Sequence, residues 1–132
     1  MTKYGASCSC GQLRAAAAGT PVRISICHCL ACKKRSGSAF SVQARWPAEQ
    51  VQIEGRASSY RRIAESGNPA DFHFCPDCGA TVHFSTVNLP GMIALPLGSL
   101  DDPSALDPTI SIYEERKNSW VEIVGVDVEH WD

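Results

Sequence analysis

Apolar and polar residues alternate along this chain in short runs, and the runs are too brief for helices. Residues 22–26, 40–46, 51–53, 59–63, 72–74, 81–85, 92–97 and 109–113 read as β-strands, each bounded by Gly, Pro, Asn or Asp. No window of eleven or more residues keeps apolar positions at helical spacing; single turns are expected only at 47–50 and 102–106. Residues 15–18 are alanines and look helical by composition, but Gly19 and Pro21 follow at once, so a strand or a loop fits them equally. The expected fold is mainly β, with small antiparallel sheets and little helix. Nothing repeats, and no stretch is biased enough in composition to be a linker. At 132 residues and 14.2 kDa the chain fits a single domain, 1–132. A domain of that size buries roughly two-thirds of its unfolded surface and needs no disulfides to hold a core.

The seven cysteines fall in three tight groups: Cys8-Ser9-Cys10, Cys27-His28-Cys29-Leu30-Ala31-Cys32 and Cys75-Pro76-Asp77-Cys78. Gaps of one and two residues suit ligands of a shared zinc ion, whose sulfurs lie roughly 3.8 Å apart. Residues two apart on a strand project from one face about 6.6 Å apart, a gap that side-chain reach and slight bending close. Gly79 after Cys78 and Gly11 after Cys10 can each take a left-handed conformation and turn backbone N–H groups toward sulfur. Seven divides as four plus three: four thiolates close a structural tetrahedron, and three leave a corner for water or a substrate atom. One zinc joining the Cys8/Cys10 and Cys75/Cys78 pairs would staple segments 65 residues apart, and structural zinc contributes about 10–16 kcal/mol in apparent terms. Two zinc ions per chain are therefore expected.

The amino end lacks the apolar stretch of a secretory signal, and no run approaches the length of a membrane span. A cytoplasmic location follows, where thiols stay reduced and clustered cysteines bind metal rather than pair. Net charge is −2 and the pI is near 6.1. Seven thiolates and two divalent ions would take the formal charge to −5, so nucleic acid is not an expected partner. Exposed β edges together with Trp46, Trp120 and Trp131 would make a dimer unsurprising, and the sequence leaves the oligomeric state open.

Cys27, Cys29 and Cys32 sit within six residues at the end of a predicted strand, a position where loops carry reactive groups. A histidine could close this second site, with His28, His73 and His83 as candidates, although His28 lies between ligands and would point away from the metal they share. Left open, three thiolates make zinc a poor acidifier of water and a good host for a soft sulfur ligand. That bias favours a thiol substrate, which would lose its proton and add to a small carbonyl compound; reversal would cleave a carbon–sulfur bond. Lys33, Lys34 and Arg35, the densest positive run, could hold the carboxylates of a thiol peptide. Arg61 and Arg62 alternate on a strand, so at most one joins the site. His28, Tyr60, Ser36 and Glu114 qualify as a general base by residue type alone. Competing readings are a non-enzymatic zinc module for protein interaction and a redox sensor based on exposed thiolates.

Taken together, Cys8-Ser9-Cys10-Gly11, the Cys27-His28-Cys29 to Ser36-Gly37 block and Phe74-Cys75-Pro76-Asp77-Cys78-Gly79 resemble the glutathione-dependent formaldehyde-activating enzyme family, also called the centromere protein V family. The likeness runs on through Gly98 to Pro103, Ile110-Ser111-Ile112-Tyr113 and Trp120. The resemblance implies a β-tent fold and a structural zinc on Cys8, Cys10, Cys75 and Cys78. It also implies a second zinc on Cys27, Cys29 and Cys32, whose remaining corner takes water or the sulfur of glutathione, and an activity that joins glutathione to formaldehyde as S-hydroxymethylglutathione, a carbon–sulfur lyase in reverse.

Overall fold

The computed structural model describes every residue except Glu65. Strands β1 (Lys3–Ser7) and β2 (Arg14–Ala18) form an antiparallel hairpin, and β2 pairs along its other edge with β5 (Val51–Glu54), giving a three-stranded sheet. The alanine run thus resolves as a strand. It alternates exposed and buried positions, with Ala15 and Ala17 in the core. Side chains this small let the sheet lie close on what it covers.

The second sheet has eight strands: β3 (Arg23–Cys27), β4 (Ser41–Pro47), β6 (Ser58–Ile63), β7 (Pro69–Phe74), β8 (Thr81–Thr86), β9 (Met92–Pro96), β10 (Ile110–Ile112) and β11 (Glu129–His130). Their order is β11-β10-β3-β4-β9-β8-β7-β6. Pairing is antiparallel from β3 across to β6, but β10 runs parallel to β3 and β11 parallel to β10. This sheet is therefore larger than expected and mixed. Parallel neighbours need long connections, which residues 28–109 supply between β3 and β10 and residues 113–128 between β10 and β11.

Register assigns each face of the large sheet its job. Ile24, Ala44 and Leu95 lie side by side on β3, β4 and β9, and they join Ala6, Leu13, Ala15, Ala17, Trp46 and Val82 in the core between the sheets. One residue along, Arg23, Arg45, Ala94, Phe84 and Phe72 form a row across five strands. The strand period of two turns that row to the opposite face.

Helix α1 (Leu30–Ser36) had no counterpart among the expected elements, because its seven residues bury only Cys32 and so present no apolar stripe. The expected turns appear as a 3-10 turn over Ala48–Gln50 and as a turn closed by the Ala105 N–H on the Asp102 carbonyl. Trp46, expected among exposed contacts, is instead fully buried: its Nε1–H donates to the Gly19 carbonyl at 2.8 Å and its ring lies 5.8 Å from that of Tyr4. Trp120 and Trp131 are exposed. No helix among the described residues is long and apolar enough to cross a membrane.

Replacing Trp46 with Phe keeps an aromatic ring in the core but leaves the Gly19 carbonyl without its donor. The expected cost is about 1–3 kcal/mol, read as a lower urea midpoint at unchanged slope.

Candidate metal centres and the cavity beside them

Two groups of sulfurs converge. Sγ atoms of Cys8, Cys10, Cys75 and Cys78 all lie within 4.8 Å of one another, with Cys10 3.6 Å from Cys8 and 3.7 Å from Cys75. Each pair sits in a tight turn. After β1, Cys8 N–H donates to the Leu13 carbonyl and Gly11 N–H to the Cys8 carbonyl; after β7, Cys75 N–H donates to Ala80 and Gly79 N–H to Cys75. Gly11 and Gly79 have φ of 85° and 81°, values that favour glycine. Donors then ring the sulfurs: Leu13 N–H to Cys8 at 3.3 Å, Asp77 N–H to Cys75 at 3.4 Å and Gln12 Nε2–H to Cys75 at 3.0 Å.

Burial works against a Cys75 thiolate, but donors from Gln12, Cys78 and Asp77 outweigh it and bring the thiol down to about 6. The Gln12 N–H favours a Cys10 thiolate too, yet Cys8 and Cys75 beside it push the Cys10 thiol up to about 11. Four sulfurs this close ionise together only around a cation, and an all-cysteine tetrahedral set is a soft-metal donor set.

Cys27, Cys29 and Cys32 form the second group, also within 4.8 Å. Cys27 ends β3, Cys29 caps α1 by accepting the Cys32 N–H at 3.3 Å, and Cys32 is the helix's buried residue. Thiols of Cys27 and Cys29 bring Cys32 down to about 2, against burial, with the Ser41 hydroxyl and the Arg62 charge adding to the effect. Cys29 and Cys32 push Cys27 up. Among the described residues no histidine joins the group. His28 is fully buried with Nε2 3.0 Å from Ser111 Oγ, and His73 and His83 stack on each other at 4.4 Å.

A cavity of about 170 Å³ opens on all three of these sulfurs and is also lined by Arg23, Arg45, Arg62, Arg116 and Tyr113. Phe84 belongs to its floor. Arg45 lies 5.8 Å from the Phe84 ring centre, Arg62 lies 4.8 Å from that of Phe72, and Arg35 sits about 5 Å from both. Burial and the neighbouring Arg23 pull the Arg45 guanidinium down to about 10. A larger, open groove of about 760 Å³ passes Cys8 but does not reach the three-sulfur group.

The basic run expected to bind substrate is spread elsewhere. Lys33 Nζ donates to the Arg116 carbonyl and to Asn118 Oδ1, so it ties α1 to the segment that walls the cavity. Lys34 is exposed, and Arg35 lies over the phenylalanines. Arg61 pairs with Asp71 at 2.8 Å, whereas Arg62 lines the cavity. Tyr60 is exposed, Ser36 donates to the Cys32 carbonyl and Glu114 pairs with His130, so none of these lines the cavity. Sequence reasoning missed Arg23, Arg45 and Arg116. Their local signal was alternation, with Arg23, Ser25 and Cys27 on one face of β3 and Ser41, Gln43 and Arg45 opposite them on β4.

Tyr113 was also missed as a site residue. It is the one non-glycine among the described residues at positive φ, 57°, a conformation that costs a bulky side chain about 1–3 kcal/mol and clusters at functional sites. Burial, followed by the charges of Cys27, Cys29 and Cys32, pushes its hydroxyl up.

Fold and site together define a mainly β protein with two cysteine clusters able to hold metal, one of them opening on a cavity. The family model for the glutathione-dependent formaldehyde-activating enzyme matches residues 3–116, and the chain belongs to that family. A crystal structure of a Rhodobacter sphaeroides protein from structural genomics aligns with a TM-score of 0.57 at 16% identity, over 97% of this chain and 99% of that one. This is a likeness of fold. No curated protein matches the chain.

Gly55 ties the strands to the first cluster, because a Cβ there would stand 2.2 Å from the Gln12 carbonyl oxygen and 2.9 Å from Leu13 Cα, at φ 102°. Gly55→Ala is expected to displace the Gln12–Leu13 donors of Cys75 and Cys8. The expected result is a Tm lower by at least about 4 °C, the shift that ~1 kcal/mol gives a domain of this size, and faster loss of the first metal to a chelator. Calorimetry and a chromogenic chelator measure the two effects.

Proposed function

We propose that this chain is a zinc-dependent carbon–sulfur lyase and synthase that joins a thiol, such as glutathione, to a small aldehyde and reverses the same step. One observation carries the reading: three cysteine sulfurs converge without a fourth protein ligand among the described residues, on the wall of a cavity. The family supplies the substrate classes, glutathione and formaldehyde. Cys8, Cys10, Cys75 and Cys78 would hold the structural ion, and Cys27, Cys29 and Cys32 the second. When bound at the second group, zinc favours the deprotonated form of an incoming sulfur.

The chain's own groups do the rest. Cys29, as the α1 cap, fixes the helix against its sulfur partners, and Lys33 holds the cavity wall to that helix. The substrate sulfur's electron pair forms the bond to the carbonyl carbon as its proton leaves, and the carbonyl π pair moves to oxygen. Tyr113 Oη, kept protonated by burial and the nearby sulfurs, gives that oxygen a proton and is restored from solvent. In the cleavage direction Tyr113 Oη, having given its proton to solvent, takes the adduct's hydroxyl proton, the oxygen pair re-forms the carbonyl, and the carbon–sulfur electron pair stays on the departing sulfur. Seven free thiols fit a reducing compartment such as the cytoplasm.

Purified protein is expected to carry two zinc ions per chain by elemental analysis. Cys29→Ser should retain one ion and a native circular-dichroism spectrum, whereas Cys75→Ser should fail to fold. Exchange NMR on glutathione and formaldehyde should show catalysed adduct formation by the wild type and only the uncatalysed rate with Cys29→Ser; equal rates for the two would defeat the reading. Tyr113→Phe should keep both ions yet lose about 10²-fold in rate, within the range for a positioned acid.

A further inference from the structure

The cavity's charge exceeds what thiol capture needs. Arg23, Arg45, Arg62 and Arg116 line it, and Glu115 is the one carboxylate among the described lining residues. Three thiolates holding a divalent ion carry one net negative charge, so among the described residues two positive charges stay uncompensated. The guanidiniums are also short of acceptors: Arg23 Nε, Arg62 Nε and Arg62 Nη1 are buried without a hydrogen-bond partner among the described residues. Arg45 donates only to a neutral oxygen, Ser25 Oγ at 3.2 Å. Like charges packed on a phenylalanine and alanine floor, with Arg45 buried and Arg23 and Arg62 half-buried, repel one another and leave donors unsatisfied. Cation–π contact with Phe72 and Phe84 relieves part of that cost, but it does not fill in-plane N–H groups. A carboxylate does, because guanidinium forks match its two oxygens.

Size adds a second limit. The cavity's 170 Å³ is well under the roughly 300 Å³ at which pockets begin to enclose drug-sized ligands. A tripeptide would have to leave much of itself outside.

We infer that the arginines around the three-cysteine group form a carboxylate-recognition site, and that the preferred partner is a small thiol bearing two carboxylates. This rests on the thiol-capture reading for the sulfur but not for the anion, and the two can fail separately. Protein carrying cobalt in place of zinc is titrated with 2-mercaptoethanol, mercaptoacetate, mercaptosuccinate and glutathione, following the sulfur-to-cobalt absorption. In parallel, the zinc protein is titrated calorimetrically with succinate, which has no sulfur. Affinity should rise with carboxylate count, with mercaptosuccinate at least about tenfold tighter than 2-mercaptoethanol and no weaker than glutathione. Succinate should bind alone. Arg62→Gln and Arg23→Gln should each collapse the preference toward unity and weaken succinate, whereas Arg61→Gln, on the other side of β6, should change neither.

A neutral thiol binding as tightly as mercaptosuccinate, glutathione binding more tightly than mercaptosuccinate, or a preference that survives both variants would overturn the inference. If no thiol alters the cobalt spectrum, capture at the open corner fails. Succinate binding that is lost in Arg62→Gln would still support the arginine site, and its absence would remove that site as well.

Discussion

The four-sulfur cluster is the contact through which one sheet is fixed on the other. Cys8 and Cys10 leave β1 of the small sheet, while Cys75 and Cys78 bracket the turn from β7 to β8 of the large one. The apolar layer between the sheets is built to a notable extent from alanine, at Ala6, Ala15, Ala17 and Ala44. A buried methyl contributes less than about 1 kcal/mol, whereas a structural zinc contributes about 10–16. Small side chains bring the sheets near enough for four sulfurs to meet, and a metal held there would outweigh what the small side chains forgo. Gln12 shows how closely the two are coupled, since one side chain donates to Cys75 sulfur and to the Arg56 carbonyl and accepts the Arg56 N–H.

With that side of the large sheet committed to the core, its other face is free for a site. The same alternation that buries Ile24 and Ala44 turns Arg23 and Arg45 outward onto it. Cys27 ends β3 in the same alternating set as Arg23 and Ser25, so the sulfur group and the arginine floor share one surface. Tyr113 closes the far wall. Its left-handed backbone is held by Glu114 N–H on the Trp131 carbonyl and Trp131 N–H on the Ser111 carbonyl, which gives the short parallel strand β11 a purpose beyond its two residue pairs.

Local patterns in the chain announced what depends on neighbours in sequence. Strands β3 to β10 were legible within one to three residues of their ends, because alternation and turn residues are local; the cysteine pairs and the triplet were legible from local spacing, and the joining of two pairs 65 residues apart from the division of seven sulfurs into four plus three. Helix α1 was hidden: it begins on a cysteine cap and carries Lys33, Lys34 and Arg35 where an apolar stripe would sit. Parallel pairing of β10 was hidden because it depends on where a long crossover lands. The arginines come from four separate segments, and no local run marks them as a set. A contiguous basic run is conspicuous in sequence yet dispersed in space, with Lys33 spent on Arg116 and Asn118.

That contrast bears on the chemistry. Hydrolysis at a metal needs an acidified water and a base beside it, and thiolate ligands weaken the first. Among the sequence candidates for the second, His28 is sealed against Ser111 and Glu114 is paired with His130. What the cavity offers instead is a protonated hydroxyl on Tyr113 and a field of positive charge around three sulfurs. In the proposed addition a field of that sign would draw an anionic thiol and favour the thiolate over the thiol, and it would stabilise the negative charge that grows on an aldehyde oxygen as sulfur adds. In the proposed reaction the same three effects would act on the reverse step, so the geometry would lower the barrier in both directions while the equilibrium between adduct and free aldehyde stays with the concentrations of the two substrates.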